Sequence, residues 1–272
     1  MRRARRLLLS LLIVPLLLCL PGASHADTSR ESQIEQADAY FFQGKKLYEE
    51  GKYAQAITLF EKAVAIDAKY RPIDLAYDYS WIGDAHKALG HFDRAELAYM
   101  RVVVTRKKVL GDEHLDYAAS LSDLADLYYE KGAYDKALPL LKLVVAIRKK
   151  VLGEEHTTYA STLNNLAVLY ERMGAYDKAL PLHQRALAIR KKVLGESHPD
   201  YATSLNNLAG LYEDMGAYDK ALPLYQQALA IREKALGEEH PDYAKSLNNL
   251  AVLYERMGAY DKALPLHQRA LA

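Results

Sequence analysis

Three asparagine pairs stand 42 residues apart: Asn164 and Asn165, Asn206 and Asn207, Asn248 and Asn249. Asparagine is a middling helix former, so its return within what reads as a helix needs a cause. Its amide donates and accepts at once, which matches the N–H and C=O of an extended peptide backbone. The pairs read in two ways. They line a surface that binds peptide, or they bond to neighbouring helices and set repeat register, since buried polar groups are normally satisfied somewhere. The copy before them carries Ser122 and Asp123 at these places, so a ladder of amides loses its last rung there.

Other polar groups recur with less promise. Glu171, Arg172, Glu213, Asp214, Glu255 and Arg256 close the same segments and would tune such a surface; the plainer reading is solvated charge at a helix end. The basic runs Arg148–Lys150 and Arg190–Lys192 fall where a helix ends, and a cation there favours the negative end of the dipole. His114, His156, His198 and His240 lie one repeat apart, roughly 10 Å if each repeat adds a helix layer. Zinc needs its nitrogens about 2.1 Å away, so neighbouring rungs cannot share an ion and the series reads as loop and cap residues. His183 and His267 have no second ligand near in sequence and are assigned no site. Phosphate loop, nucleophile elbow and HExxH motifs are missing, and a near-identical repeated surface does not bring unlike groups to one point. No enzyme, cofactor or metal is expected.

The elements that position these groups follow from the period. Within one copy Tyr201, Leu205, Leu208, Ala209 and Tyr212 form one stripe of a 3.6-residue helix, here termed A. Pro199 and Asp200 suit its start, and Gly216 its end. Helix B carries Tyr218, Ala221, Leu222, Tyr225, Ala228 and Leu229, tolerates Pro223 near its start, and stops at Gly237. Ala209 and Ala221 are placed where A and B cross. One such hairpin leaves faces bare, so copies must stack. The 21 tyrosines fall mostly on these stripes and read as packing residues, while Trp81 is either capping or groove-facing.

In order, Leu205, Leu208, Ala209, Tyr212, Gly216, Tyr218, Ala221, Tyr225 and Ala228 resemble the tetratricopeptide repeat signature, and the 42-residue period with HPDYA and SLNNLAGLY is similar to the kinesin-light-chain variety. The resemblance covers about Gln36 to Ala272. It implies an all-α solenoid, a right-handed superhelix of stacked antiparallel helix pairs with helix A lining a concave groove. In peptide-binding members an asparagine at the place of Asn165, Asn207 and Asn249 faces that groove. A non-enzymatic scaffold for a protein or peptide is therefore expected. The alternative is a regulatory or sensor part of a longer protein, with an effector such as a protease beyond Ala272.

The chain before the repeats is of another kind. Arg2, Arg3, Arg5 and Arg6, the apolar run Leu7–Leu20 and the small residues before Asp27 give the three parts of a secretory signal over 1–26, cleaved after Ala26. Fourteen apolar residues with Pro15 among them are short for a membrane span, which takes about 18. Cys19, the single cysteine, would leave with that segment. A periplasmic or extracellular protein is expected. The net charge of +1 falls to −3 without the four signal arginines, which excludes a general affinity for nucleic acid or a membrane. Residues 27–36 read as a flexible polar linker and 37–272 as about six hairpins. Unit Ala39–Asp67 is a shorter copy, the second unit keeps Gly83, Gly90 and Tyr99, and both suit an N-terminal cap. The last hairpin is incomplete, which offers an uncapped face for self-association.

Overall fold

The computed structural model describes residues 25–271, so the expected signal segment lies outside the described residues except for its last two. Twelve helices follow one another among them, and within each of two units sequential helices pack on one another. Helices α1 (His25–Glu49), α2 (Tyr53–Tyr70) and α3 (Pro72–Ala88) belong to one compact unit. The other holds α4 (Phe92–Leu110), α5 (Leu115–Glu130), α6 (Tyr134–Leu152), α7 (Thr157–Arg172), α8 (Tyr176–Leu194), α9 (Pro199–Asp214), α10 (Tyr218–Leu236), α11 (Pro241–Arg256) and α12 (Tyr260–Leu271). The all-α, paired architecture expected from the period is the one observed. Residues 27–36, read as a flexible linker, lie within α1. Its run from Thr28 to Ala39 has no proline or glycine to interrupt the helix, and polarity alone does not break one.

In the first unit Trp81 packs edge-on to Tyr48 and Phe41, at centroid distances of 5.1 and 6.4 Å, and stacks on Phe60 at 6.0 Å. That settles its role as packing within the N-terminal unit. Gly44 makes room for the same cluster, because a Cβ there would sit 2.9 Å from the Phe60 ring. Arg71 ties the unit's polar edge, with its guanidinium 2.7 Å from buried Asp67, 2.9 Å from Asp38 and 3.2 Å from Asp74. Burial opposes its charge, and the Asp38 and Asp67 carboxylates outweigh that, holding Arg71 above its ordinary pKa.

In the second unit α5, α7, α9 and α11 are A helices, and α6, α8, α10 and α12 their B partners. Each A helix ends on a left-handed glycine; Gly216 has φ +72°. This lets the Gly216 N–H reach Glu213 O at 2.9 Å and the Ala217 N–H reach Tyr212 O at 2.8 Å, closing the helix before the chain reverses. Ala209 and Ala221 are fully buried where α9 meets α10, as their size predicts. Pro181 and Pro223 sit six residues into B helices, within helical structure. The core is a chain of clusters, one under each hairpin and one between hairpins, so no A helix is buried by its own partner alone.

Candidate functional site: the exposed line of the A helices

Each A helix begins at a histidine whose ring caps it. The Nδ1 of His114, His156, His198 and His240 accepts from the backbone N–H two residues on, at 3.0 to 3.1 Å. An acceptor there satisfies an N–H the first turn cannot bond, so the cap reading of this series holds. Among the described residues no three His, Cys, Asp or Glu side chains converge as metal ligands would.

From these fixed starts the asparagine pairs separate. Successive residues on a helix point about 100° apart, so one of each pair turns in and the other out. Asn164 is buried; its Nδ2 donates to Ser204 Oγ of the next A helix at 3.3 Å, and its Oδ1 lies 2.9 Å from His183 Nδ1 on α8. Asn206 repeats the first bond, to Ser246 Oγ at 3.2 Å. Asn248 faces His267 Nδ1 at 3.1 Å and is exposed. Asn164 and Asn206 are therefore used inside the array, as register residues, whereas Asn248 bonds only within its own hairpin. The second members differ: Asn165 is exposed, Asn207 and Asn249 are half-buried, and none has an intramolecular hydrogen bond among the described residues. Their helical line also carries Val168 and Arg172, then Gly210 and Asp214, then Val252 and Arg256. The amides thus sit on a face with both apolar and charged neighbours.

Of the groups closing the A helices, Arg172, Asp214, Glu255 and Arg256 are exposed as expected, whereas Glu171 is half-buried and Glu213 buried. Glu213 is buried, accepting from the Tyr225 hydroxyl at 2.8 Å and pairing with Arg256 Nε of the next hairpin at 2.9 Å. Glu171 lies 2.6 Å from His183 Nε2. Arg172 donates to Tyr129 Oη of the preceding hairpin at 2.8 Å. His183, given no role from sequence, is fully buried and bridges Asn164 and Glu171 within one hairpin. In the next copy Tyr225 fills the same place, reaches Glu213 and leaves Asn206 Oδ1 without a partner. Gly210 stands where α7 and α11 have Val168 and Val252; a Cβ there would lie in van der Waals contact with the Tyr225 hydroxyl, at 3.5 Å.

Burial, then the carboxylate of Glu213, pushes the Tyr225 hydroxyl well above its ordinary value of 10.0. A phenol that stays protonated when folded but ionises when unfolded gives full stability below pH 10 and loses it as pH rises beyond. Stability measured by urea denaturation is expected to fall above about pH 10, more steeply in the wild-type chain than in Tyr225→Phe. Parallel curves would remove Tyr225 from the explanation.

The basic runs conceal a third internal device. Arg190 is buried just before the last turn of α8; Nη1 donates to Ser204 Oγ at 2.8 Å and Asp200 O at 3.1 Å, and Nη2 donates to Ser161 Oγ at 2.9 Å. One guanidinium thus joins two A helices. Arg232 repeats the set on Ser246, Asp242 O and Thr203, and Arg148 donates to Thr162 at 2.5 Å. Burial holds Arg190 and Arg232 below the usual guanidinium pKa, with Asp200 and Asp242 opposing. The arginines do more than meet a helix dipole. The signal was present in sequence: an arginine stands 14 residues before a serine or threonine at 148/162, 190/204 and 232/246.

Segments 73–150, 131–192, 158–234 and 200–272 match the tetratricopeptide repeat family model, and 37–70 matches a second model of the same description. The chain belongs to the tetratricopeptide repeat (TPR) family. Among solved structures, this TPR chain is similar to BtubC of P. vanneervenii, at 26% identity and TM-score 0.65, with 90% of each chain covered. A Podosopora anserina protein with nearly identical kinesin-light-chain TPR-like repeats shares 30% identity at TM-score 0.62, over 77% of this chain and 97% of that one. Aspartyl phosphate phosphatase F of Bacillus subtilis matches at 15% identity and TM-score 0.66, over 90% and 72%, a likeness of fold alone. No curated protein matches the chain. The family and these neighbours make the chain a kinesin-light-chain-like TPR scaffold of the kind that mediates protein interactions.

Proposed function

We propose that this TPR array is an exported, non-enzymatic scaffold that binds an extended protein segment along the line of Asn165, Asn207 and Asn249. The observation that carries the reading is the division of labour within each pair. In the first two pairs the first amide is spent on the next A helix, and in all three the second is held at a solvent-reachable place with its donors and acceptor unspent. A rigid, repeated amide suits a peptide backbone, which presents the same donor and acceptor along its length.

Peptides selected from a random library on the immobilised chain supply the probe. Asn207→Ala is expected to weaken such a peptide about 5- to 10-fold, the worth of about 1–1.4 kcal/mol for a lost hydrogen bond, with helical content and melting unchanged. Loss of fold on that substitution would instead assign Asn207 to the scaffold. Export rests on the basic, apolar and small-residue order of residues 1–26. N-terminal sequencing of the processed protein is expected to begin at Asp27; a retained Met1 would refute it.

A further inference from the structure

Gly210 sets the middle rung of the amide line apart from the rungs on either side. It follows Asn207 by three residues on α9, a spacing that puts both on one face. Val168 and Val252 hold the same place after Asn165 and Asn249. Outside its own helix backbone, a Cβ on Gly210 would meet only the Tyr225 hydroxyl within 4 Å among the described residues, at 3.5 Å. A recess no larger than the missing valine side chain therefore opens at this rung, with that hydroxyl as its floor. The hydroxyl has one sign to offer. Glu213 Oε2, 2.8 Å away, is a carboxylate oxygen that can only accept, so the phenolic proton is committed to it and Tyr225 Oη turns a lone pair to the recess. Asn206 Oδ1, one turn before Gly210, is a second acceptor, buried without a partner. Arg256 already faces both carboxylates that close α9, Glu213 at 2.9 Å and Asp214 at 3.7 Å.

We propose that the middle rung selects a threonine or serine of the bound segment, whose hydroxyl enters the recess over Gly210 and donates to Tyr225 Oη; this rests on the peptide-binding reading of the amide line. Three observations choose that side chain. The floor of the recess accepts, so the incoming group must donate. The space is that of one valine, which threonine matches in shape and an aromatic ring exceeds. A basic side chain would arrive beside Arg256, which already serves the two carboxylates there. The backbone of the segment is answered separately, by the Asn207 amide one turn earlier. The hydroxyl would extend a chain of hydrogen bonds through Tyr225 to Glu213, in which each bond polarises the next. A valine of the segment would fit the same space and leave the lone pair unmet.

The test uses the full chain and peptides selected on it from a random library, with binding read by fluorescence anisotropy. The selected peptides are expected to share one threonine or serine position. Changing that residue to valine should weaken binding to the wild-type chain about 5- to 10-fold, the worth of one hydrogen bond. Against Tyr225→Phe the threonine and valine peptides should bind alike, a ratio that a merely structural role of Tyr225 would not move. Gly210→Ala places a methyl group in the recess without a clash. It is expected to raise the melting temperature by about 1–4 °C, as alanine does for glycine within a helix, while weakening the threonine peptide about tenfold. The proposal is overturned by selected peptides that share no hydroxyl position, by a preference for threonine that survives Tyr225→Phe, or by unchanged binding to Gly210→Ala. Asn207→Ala separates the two claims. Weaker binding there without any preference for threonine ends this proposal and leaves the amide line standing. No effect of Asn207→Ala, or no peptide selected at all, ends both.

Discussion

Arg190→Ala is expected to lower stability by about 3 kcal/mol, less than three charged hydrogen bonds of about 1.5–3 kcal/mol each would give, because burying the cation offsets part of their gain. The effect should be that large because the guanidinium is buried and spans two hairpins. Its removal takes one hydrogen bond each from Ser204 and the Asp200 carbonyl on α9 and from Ser161 on α7, while Ser204 keeps Asn164 and Ser161 keeps Thr157 O. In a stack where each repeat leans on its neighbours, a lost inter-repeat term weakens cooperativity as well as total stability. Urea denaturation followed by circular dichroism should show a lower midpoint and a broader transition. Ser161→Ala added to Arg190→Ala should cost little more, because the bond it accepted has already gone and only its local bond to Thr157 O is lost. A loss below about 1 kcal/mol would show that the buried cation is merely tolerated, as replaceable buried charges often are.

His183→Leu is expected to cost about 2–4 kcal/mol, because a buried acceptor left unpaired costs about 1–3 kcal/mol and two partners are stranded at once. Asn164 Oδ1 would face a methyl group, and Glu171 would lose the ring it meets at 2.6 Å. The chain supplies its own rescue. One repeat earlier the same three places hold Ser122, Tyr129 and Leu141, and Leu141 is buried there without strain on its polar neighbours. Combining His183→Leu with Asn164→Ser and Glu171→Tyr should therefore recover most of the loss. If the single and triple variants were equally unstable, the cost would lie in the shape of the cavity rather than in unsatisfied polar atoms.

These two expectations mark where reading the chain as a string stopped. Helices, their ends and their pairing came from period, stripe and glycine, because a 42-residue near-identity forces the same local solution each time. The histidine caps and the alanine crossing came from the same source. Which amide of each pair faces the groove came only from what the family resemblance implies, since adjacent asparagines are chemically alike and only the angle at which one hairpin lies on the next separates them. The fate of the charges came from neither. Glu213 and Arg190 read as surface groups while each helix is considered alone, and become buried when the following hairpin covers them.

The sequence by itself determined the family, the all-α architecture and a scaffold's chemistry, because repetition restates every local preference several times over. Tertiary structure alone decided which polar residues the array spends on itself and which it leaves for a partner. The reason is burial: a hydrogen bond across 40 residues, such as Asn164 to Ser204, exists only once two hairpins have excluded the water between them.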